Sequence, residues 1–167
     1  MELVAVFQTT YPDSLFVFVV RVADYIRENS SETARIAVLG SEPEIYFYAR
    51  RHSAIGYLYM YSLVVRQKYT ARMREKMIRE LETNRPEYLV YVDFWDSWGD
   101  RQGGPELAAF LSRLREFMDQ GYERVGVADI GNMASDVWGD AAKSYQPHSS
   151  KVIYVLKRRQ PAAASSF

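Results

Sequence analysis

Three short segments of this sequence gather residue types that support chemistry. In Asp93-Phe94-Trp95-Asp96-Ser97-Trp98-Gly99-Asp100, three aspartates lie among two tryptophans. Carboxyl groups beside aromatic rings suit glycoside cleavage, one acting as acid and the other as base or nucleophile. That reaction needs a set distance between the carboxyls, which spacing along a chain does not give. A solvated acidic loop has the same composition. Trp95 and Trp98 are also candidates for contact with a partner or a membrane interface, where tryptophan is enriched.

The second segment is Gly40-Ser41-Glu42-Pro43-Glu44. It follows an apolar run and opens a helix, the place where phosphate loops occur. It has one glycine, so it is neither a dinucleotide fingerprint nor a Walker loop. Glu42 and Glu44 would repel a phosphate. They read either as a capped helix start or as a carboxylate pair facing a sugar or an adjoining domain, with Tyr46 beside them. The third segment, Arg50-Arg51-His52, places three potential cations after that short helix. It suits a phosphate contact or the capping of a helix C-terminus. Arg66, Lys68, Arg72, Arg74, Lys76 and Arg79 crowd a later helix, with Glu75 the one acid among them. Such a run is usually a solvated face, and a membrane-facing basic surface is the other reading.

Composition removes several classes. The 167 residues carry 21 basic and 21 acidic side chains, so no basic excess favours nucleic acid. Without cysteine there is no disulfide, thiolate site or cysteine nucleophile. His52 and His148 are too few and too far apart for a histidine metal site. Gly-x-Ser-x-Gly is absent. No cofactor is expected. The longest uninterrupted apolar run, Leu15 to Val20, is far short of the ~20 residues of a spanning helix. Any membrane part is therefore expected outside this chain.

The elements that must position these segments alternate. Pro12-Asp13-Ser14 reads as a helix start, and apolar residues at 15, 18, 19, 22 and 26 mark a helical face, although Val17 to Val20 also suit a strand. Arg35–Gly40 reads as a buried strand, Pro43–Arg50 as a short helix and Gly56–Tyr61 as a second strand. A long helix follows from Gln67 to Thr83, then a strand at Tyr88–Val92 and a loop from Trp95 to Pro105. Glu106–Gln120 is a helix, Tyr122–Ile130 a strand, Gly131–Ser149 irregular and Lys151–Lys157 a last strand. This order predicts one α/β domain over 1–160 and a flexible tail at 161–167. Its architecture is expected to be three-layer, with a mainly parallel sheet of about five strands, helices on both faces and an antiparallel edge. Ligands of such sheets bind at the carboxyl ends of the strands. Gly40–Glu44, Asp93–Gly99 and Asp129–Asn132 all belong there.

The segment Arg35 to Tyr61, and above all Gly40-Ser41-Glu42-Pro43-Glu44-Ile45-Tyr46, resembles the soluble C-terminal domain of bacterial membrane glycosyltransferases of the dolichyl-phosphate-mannose protein mannosyltransferase type. Similarity extends to Val22–Asn29, to Met77–Glu82 with Arg85–Val90, and to the pair Ser97-Trp98, covering roughly residues 11 to 130. The membrane helices and catalytic loop of that family are missing, so no catalytic residue carries over. The resemblance implies a periplasmic or extracytoplasmic accessory domain of a transferase that uses a polyprenyl-phosphate sugar, inactive in isolation. Its partners would be the membrane-spanning part of the same polypeptide and a lipid-phosphate donor or an acceptor. Glu42, Glu44, Tyr46, Arg50, Arg51, Trp95 and Trp98 are the candidate binding or interface residues. Two other readings stay open: a free-standing α/β enzyme binding a nucleotide or nucleotide-sugar, and a protein-interaction module with a Tyr- and Trp-rich surface.

Overall fold

The computed structural model describes residues 15–99, 104–131 and 135–160. The helix start expected at Pro12–Ser14, together with Asp100, Asn132, the tail at 161–167 and the Trp95 side chain, lies outside what is described.

The chain is a mixed α/β fold built on one open six-stranded sheet. Helix α1 (Leu15–Glu28) leads into β1 (Arg35–Leu39), α2 (Glu44–Ala49) and the two-residue β2 (His52–Ser53). A turn-rich excursion contains α3 (Tyr61–Val64), and then come α4 (Thr70–Asn84) and β3 (Tyr88–Asp93). The helical turn α5 (Trp95–Trp98) and α6 (Pro105–Gly121) precede β4 (Tyr122–Asp129), β5 (Ser135–Trp138), α7 (Asp140–Ser144) and β6 (Val152–Arg158).

The strand order is β2-β1-β3-β6-β4-β5. β1 pairs in parallel with β2 and β3. β6 runs antiparallel to both β3 and β4, and β5 runs antiparallel to β4. The carboxyl ends of β1, β2, β3 and β4 therefore share one edge with the start of β6.

Period-two burial on the strands divides the core. Ile36 and Val38 of β1, with Tyr88, Val90 and Val92 of β3, meet Phe18, Val22 and Ile26 of α1 and Ile45 of α2. The alternate residues Ala37, Leu39 and Leu89 meet Met77, Ile78 and Leu81 of α4 and Leu107, Phe110 and Leu114 of α6. The conflict at Val17 to Val20 resolves as helix. Four consecutive helical residues sweep nearly all directions around the axis, and all four are buried. Strand-like composition there reflects burial on every side.

Three expectations change. The strand expected at Gly56–Tyr61 is absent, because β2 ends at Ser53. The Ser53 hydroxyl donates to the Ile55 carbonyl at 2.7 Å and accepts from the Ile55 amide, which turns the chain out of the ladder. The last two expected strands do pair antiparallel, as β4 and β6, but β5 takes the edge and β6 lies between β3 and β4. β6 carries apolar residues on both faces over most of its length, which suits its place between two strands. Within the irregular span 131–149, β5 and α7 form short regular elements. Among the described residues no helix is long and apolar enough to cross a membrane.

Candidate functional site

Two of the three strand-end segments lock together at the carboxyl edge. β1 ends at Leu39, and Gly40 turns the chain so that Glu42 folds back over it. A Cβ on Gly40 would strike a Glu42 carboxylate oxygen and stand 2.6 Å from Val92 Cγ2. Only glycine lets β1 pass this close to β3 and to the returning carboxylate.

Glu42 is 6% exposed. Its Oε2 accepts from the Ser97 hydroxyl at 2.7 Å. Ser97 Oγ in turn accepts from the Ser41 amide at 2.8 Å. The Ser41 hydroxyl accepts from the Met60 amide at 3.2 Å, which roots the excursion carrying α3. Burial drives the Glu42 carboxyl above the ordinary carboxylate range, Glu44 adds to this, and the bonds from Ser97 and Ser41 partly offset it. The Glu42 carboxyl group thus fills the turn between β1 and α2.

Glu44 is exposed on the first turn of α2, next to Phe47, which is 76% exposed. Tyr46 turns inward. Its hydroxyl accepts from the Val38 amide at 2.8 Å, replacing the ladder partner that the short β2 does not provide. Burial raises its pKa.

The two arginines have opposite fates. Arg50 is exposed and takes left-handed backbone angles, φ 53° and ψ 45°, at the end of α2. Arg51 is buried and fully engaged. Its Nε donates to Ser30 Oγ, Nη1 donates to the carbonyls of Ala49 and Arg50, and Nη2 donates to the carbonyls of Arg27 and Ser30. Arg51 thus fastens the ends of α1 and α2 to each other, so the phosphate contact considered for it gives way to helix capping. His52 is exposed on the edge strand.

Of the tryptophans, Trp98 is 1% exposed and donates from Nε1 to the Val92 carbonyl at 2.8 Å. It belongs to the core beneath the edge, not to a contact surface. Asp93 is half-buried, while Asp96 is exposed and stands 3.7 Å from Lys151 Nζ.

The third strand end forms its own knot. Asp129 Oδ2 accepts from the Tyr145 hydroxyl at 3.0 Å and the His148 amide at 2.6 Å, and Oδ1 accepts from the Ser149 hydroxyl at 2.5 Å. Burial alone would raise the carboxyl's pKa, but these bonds outweigh it and hold the group below its ordinary value. A shallow depression of about 470 Å³ beside it is lined by Ile130, Gly131, His148 and Ser149. A groove of about 650 Å³ lies away from this edge, over β6 between α6 and α7.

Sequence reasoning named Ser97, the hub of the first knot, only as part of the pair Ser97-Trp98 and gave it no role, and it assigned no partners to Asp129. A serine carries no signal of its own. Asp129 carried one, as a carboxylate ending an apolar strand. Among the described residues no cluster of three or more histidines and carboxylates is placed to hold a metal ion. The carboxyl edge is thus a set of internally bonded polar groups with Glu44 and Asp96 exposed beside them, while Phe47 and Arg50 are exposed farther along α2, which runs back toward the start of β1. The chain matches no family model, no curated protein and no solved structure.

Proposed function

We propose that this chain is a three-layer α/β accessory domain of an integral-membrane glycosyltransferase that uses a polyprenyl-phosphate sugar, placed on the extracytoplasmic face of a bacterial inner membrane. In this reading it supplies shape and contacts, while the reacting groups belong to the membrane-embedded part. The observation that carries the reading is the Ser41–Ser97–Glu42 knot. The motif responsible for the resemblance spends its polar atoms on joining the ends of β1 and β3. Outside the knot, Glu44 and Phe47 lie three residues apart on the outer side of α2, followed by Arg50. An apolar ring between two opposite charges suits a partner surface. The nucleotide-enzyme reading loses support, because the Glu42 carboxyl group fills the turn after β1.

The test has two arms. The purified chain is incubated with a polyprenyl-phosphate sugar and candidate acceptors, and no transfer is expected. In membranes of its source, a photo-crosslinking amino acid at Phe47 is expected to capture a polytopic membrane segment. Sugar transfer by the chain alone overturns the accessory role. Crosslinks confined to soluble proteins favour the interaction-module reading instead.

A further inference from the structure

Seven large hydrophobic side chains stand out among the described residues as exposed, and five of them fall between Leu58 and Tyr69: Leu58, Tyr59, Tyr61, Val65 and Tyr69. This clustering lies on the excursion between β2 and α4, the stretch wrongly expected to be a strand. Its exposure is not fraying. The Met60 amide is held by Ser41, the Tyr61 hydroxyl donates to the Asp96 carbonyl at 3.1 Å, and the Tyr61 ring lies against Gly99. Farther on, the Thr70 hydroxyl donates to the Val65 carbonyl and the Gln67 side chain to the Ser62 carbonyl. The apolar side chains are held outward by a fixed backbone.

Charge on the same stretch has one sign. From Tyr57 to Arg74 the sequence contains Arg66, Lys68, Arg72 and Arg74 and no acidic residue. Arg74 is half-buried, donating to the Leu63 carbonyl and covering the Phe110 ring. Arg66, Lys68 and Arg72 are exposed, and none has a carboxylate within ion-pair distance among the described residues. Lys68 Nζ lies 5.4 Å from the centre of the Tyr69 ring. Tyrosine and leucine seat themselves at the headgroup level of a bilayer, and flanking lysine and arginine reach anionic phosphates.

We infer that the excursion from Leu58 to Arg72 is a docking surface for an anionic phospholipid bilayer. Leu58, Tyr59, Val65 and Tyr69 would enter the interface, and Arg66, Lys68 and Arg72 would pair with lipid phosphates. The inference does not rest on the transferase reading: vesicle binding and sugar transfer are measured separately, and either can fail alone.

The test is flotation of the full chain with vesicles of phosphatidylcholine alone and of phosphatidylcholine mixed equally with phosphatidylglycerol. Binding is expected to the mixed vesicles and to weaken as salt is raised. The triple variant Arg66→Gln, Lys68→Gln, Arg72→Gln should lower partitioning on the order of a hundredfold, each cation contributing roughly fivefold. Tyr59→Ser with Tyr69→Ser should lower it at least tenfold. Arg35→Gln with Arg115→Gln, exposed cations on β1 and α6, should leave it unchanged, and circular dichroism melts confirm that each variant is folded. Three results overturn the inference: no flotation with either vesicle, equal loss in the control pair, or self-association that Tyr59→Ser with Tyr69→Ser abolishes while vesicles bind nothing. The last would make the surface a protein interface.

Discussion

The Ser97 hydroxyl donates to the Glu42 carboxylate at 2.7 Å across 55 residues of sequence, joining the ends of two neighbouring parallel strands. Since burial raises the Glu42 pKa, the fold favours the protonated form. The associated stability is full below the ordinary carboxylate value of about 4.3 and is lost as pH rises through the raised one. Melting temperature should therefore fall across that window. Glu42→Gln, which keeps an oxygen for Ser97, should flatten the fall. A melting profile that keeps the same slope in Glu42→Gln would refute this.

Asp129 should show the opposite sign. Its folded pKa is lowered by donors from Ser149, His148 and Tyr145 despite burial. Its contribution is present above the unfolded value near ~3.9 and is lost as pH falls through the lowered one. Asp129→Asn should cost about 1–3 kcal/mol at neutral pH and reduce the acid sensitivity of denaturant midpoints. An unchanged acid limb would show that the loop at 145–149 is held by something else.

Adjacent arginines should respond in opposite directions. Arg51→Met strips donors from four carbonyls and a hydroxyl, and it should destabilise by about 2–4 kcal/mol in urea unfolding. Arg50→Gly relieves a left-handed backbone and should stabilise by up to about 1 kcal/mol. Equal effects at the two positions would contradict the capping role given to Arg51.

Gly40→Ala tests the close approach of β1, β3 and Glu42. The added methyl group meets Glu42 and Val92, so a loss of about 1–3 kcal/mol is expected from chemical denaturation. Val92→Ala should not rescue it, because alanine keeps the Cβ that stands 2.7 Å from the added methyl group.

Much of this fold was legible in the chain. Runs such as Ile36–Leu39 and Leu89–Val92 mark strands buried on both faces, and the four-residue recurrence of Met73, Met77 and Leu81 marks α4. The antiparallel pairing of β6 with β4 was legible in the lack of a long helix between them, but its pairing with β3 was not, because an apolar strand does not name its neighbours. Gly56–Tyr61 misled for a related reason. Tyrosine and leucine have strand propensity, but a strand also needs a free ladder, and Ser53 ends it. The candidate site suffered most. Glu42, Tyr46, Arg51 and Trp98 read as outward-facing binding groups because their types are polar or amphipathic. What turns them inward are partners at Ser97, Val38, Ser30 and Val92, set by tertiary structure. Glu44 and Arg50 do face outward, as their charge suggests.

The place of β6 bears on how the molecule is made. β3 and β4 have no direct ladder; each is stitched to β6, the last in chain order of the six strands of this sheet. Until residues 152–158 emerge, the growing chain holds two separate sheet fragments, each with an unsatisfied hydrogen-bonding edge. Such edges invite pairing with other chains. Completion of the sheet is therefore a long-range event that waits for the last of its six strands, on whichever side of a membrane the chain folds.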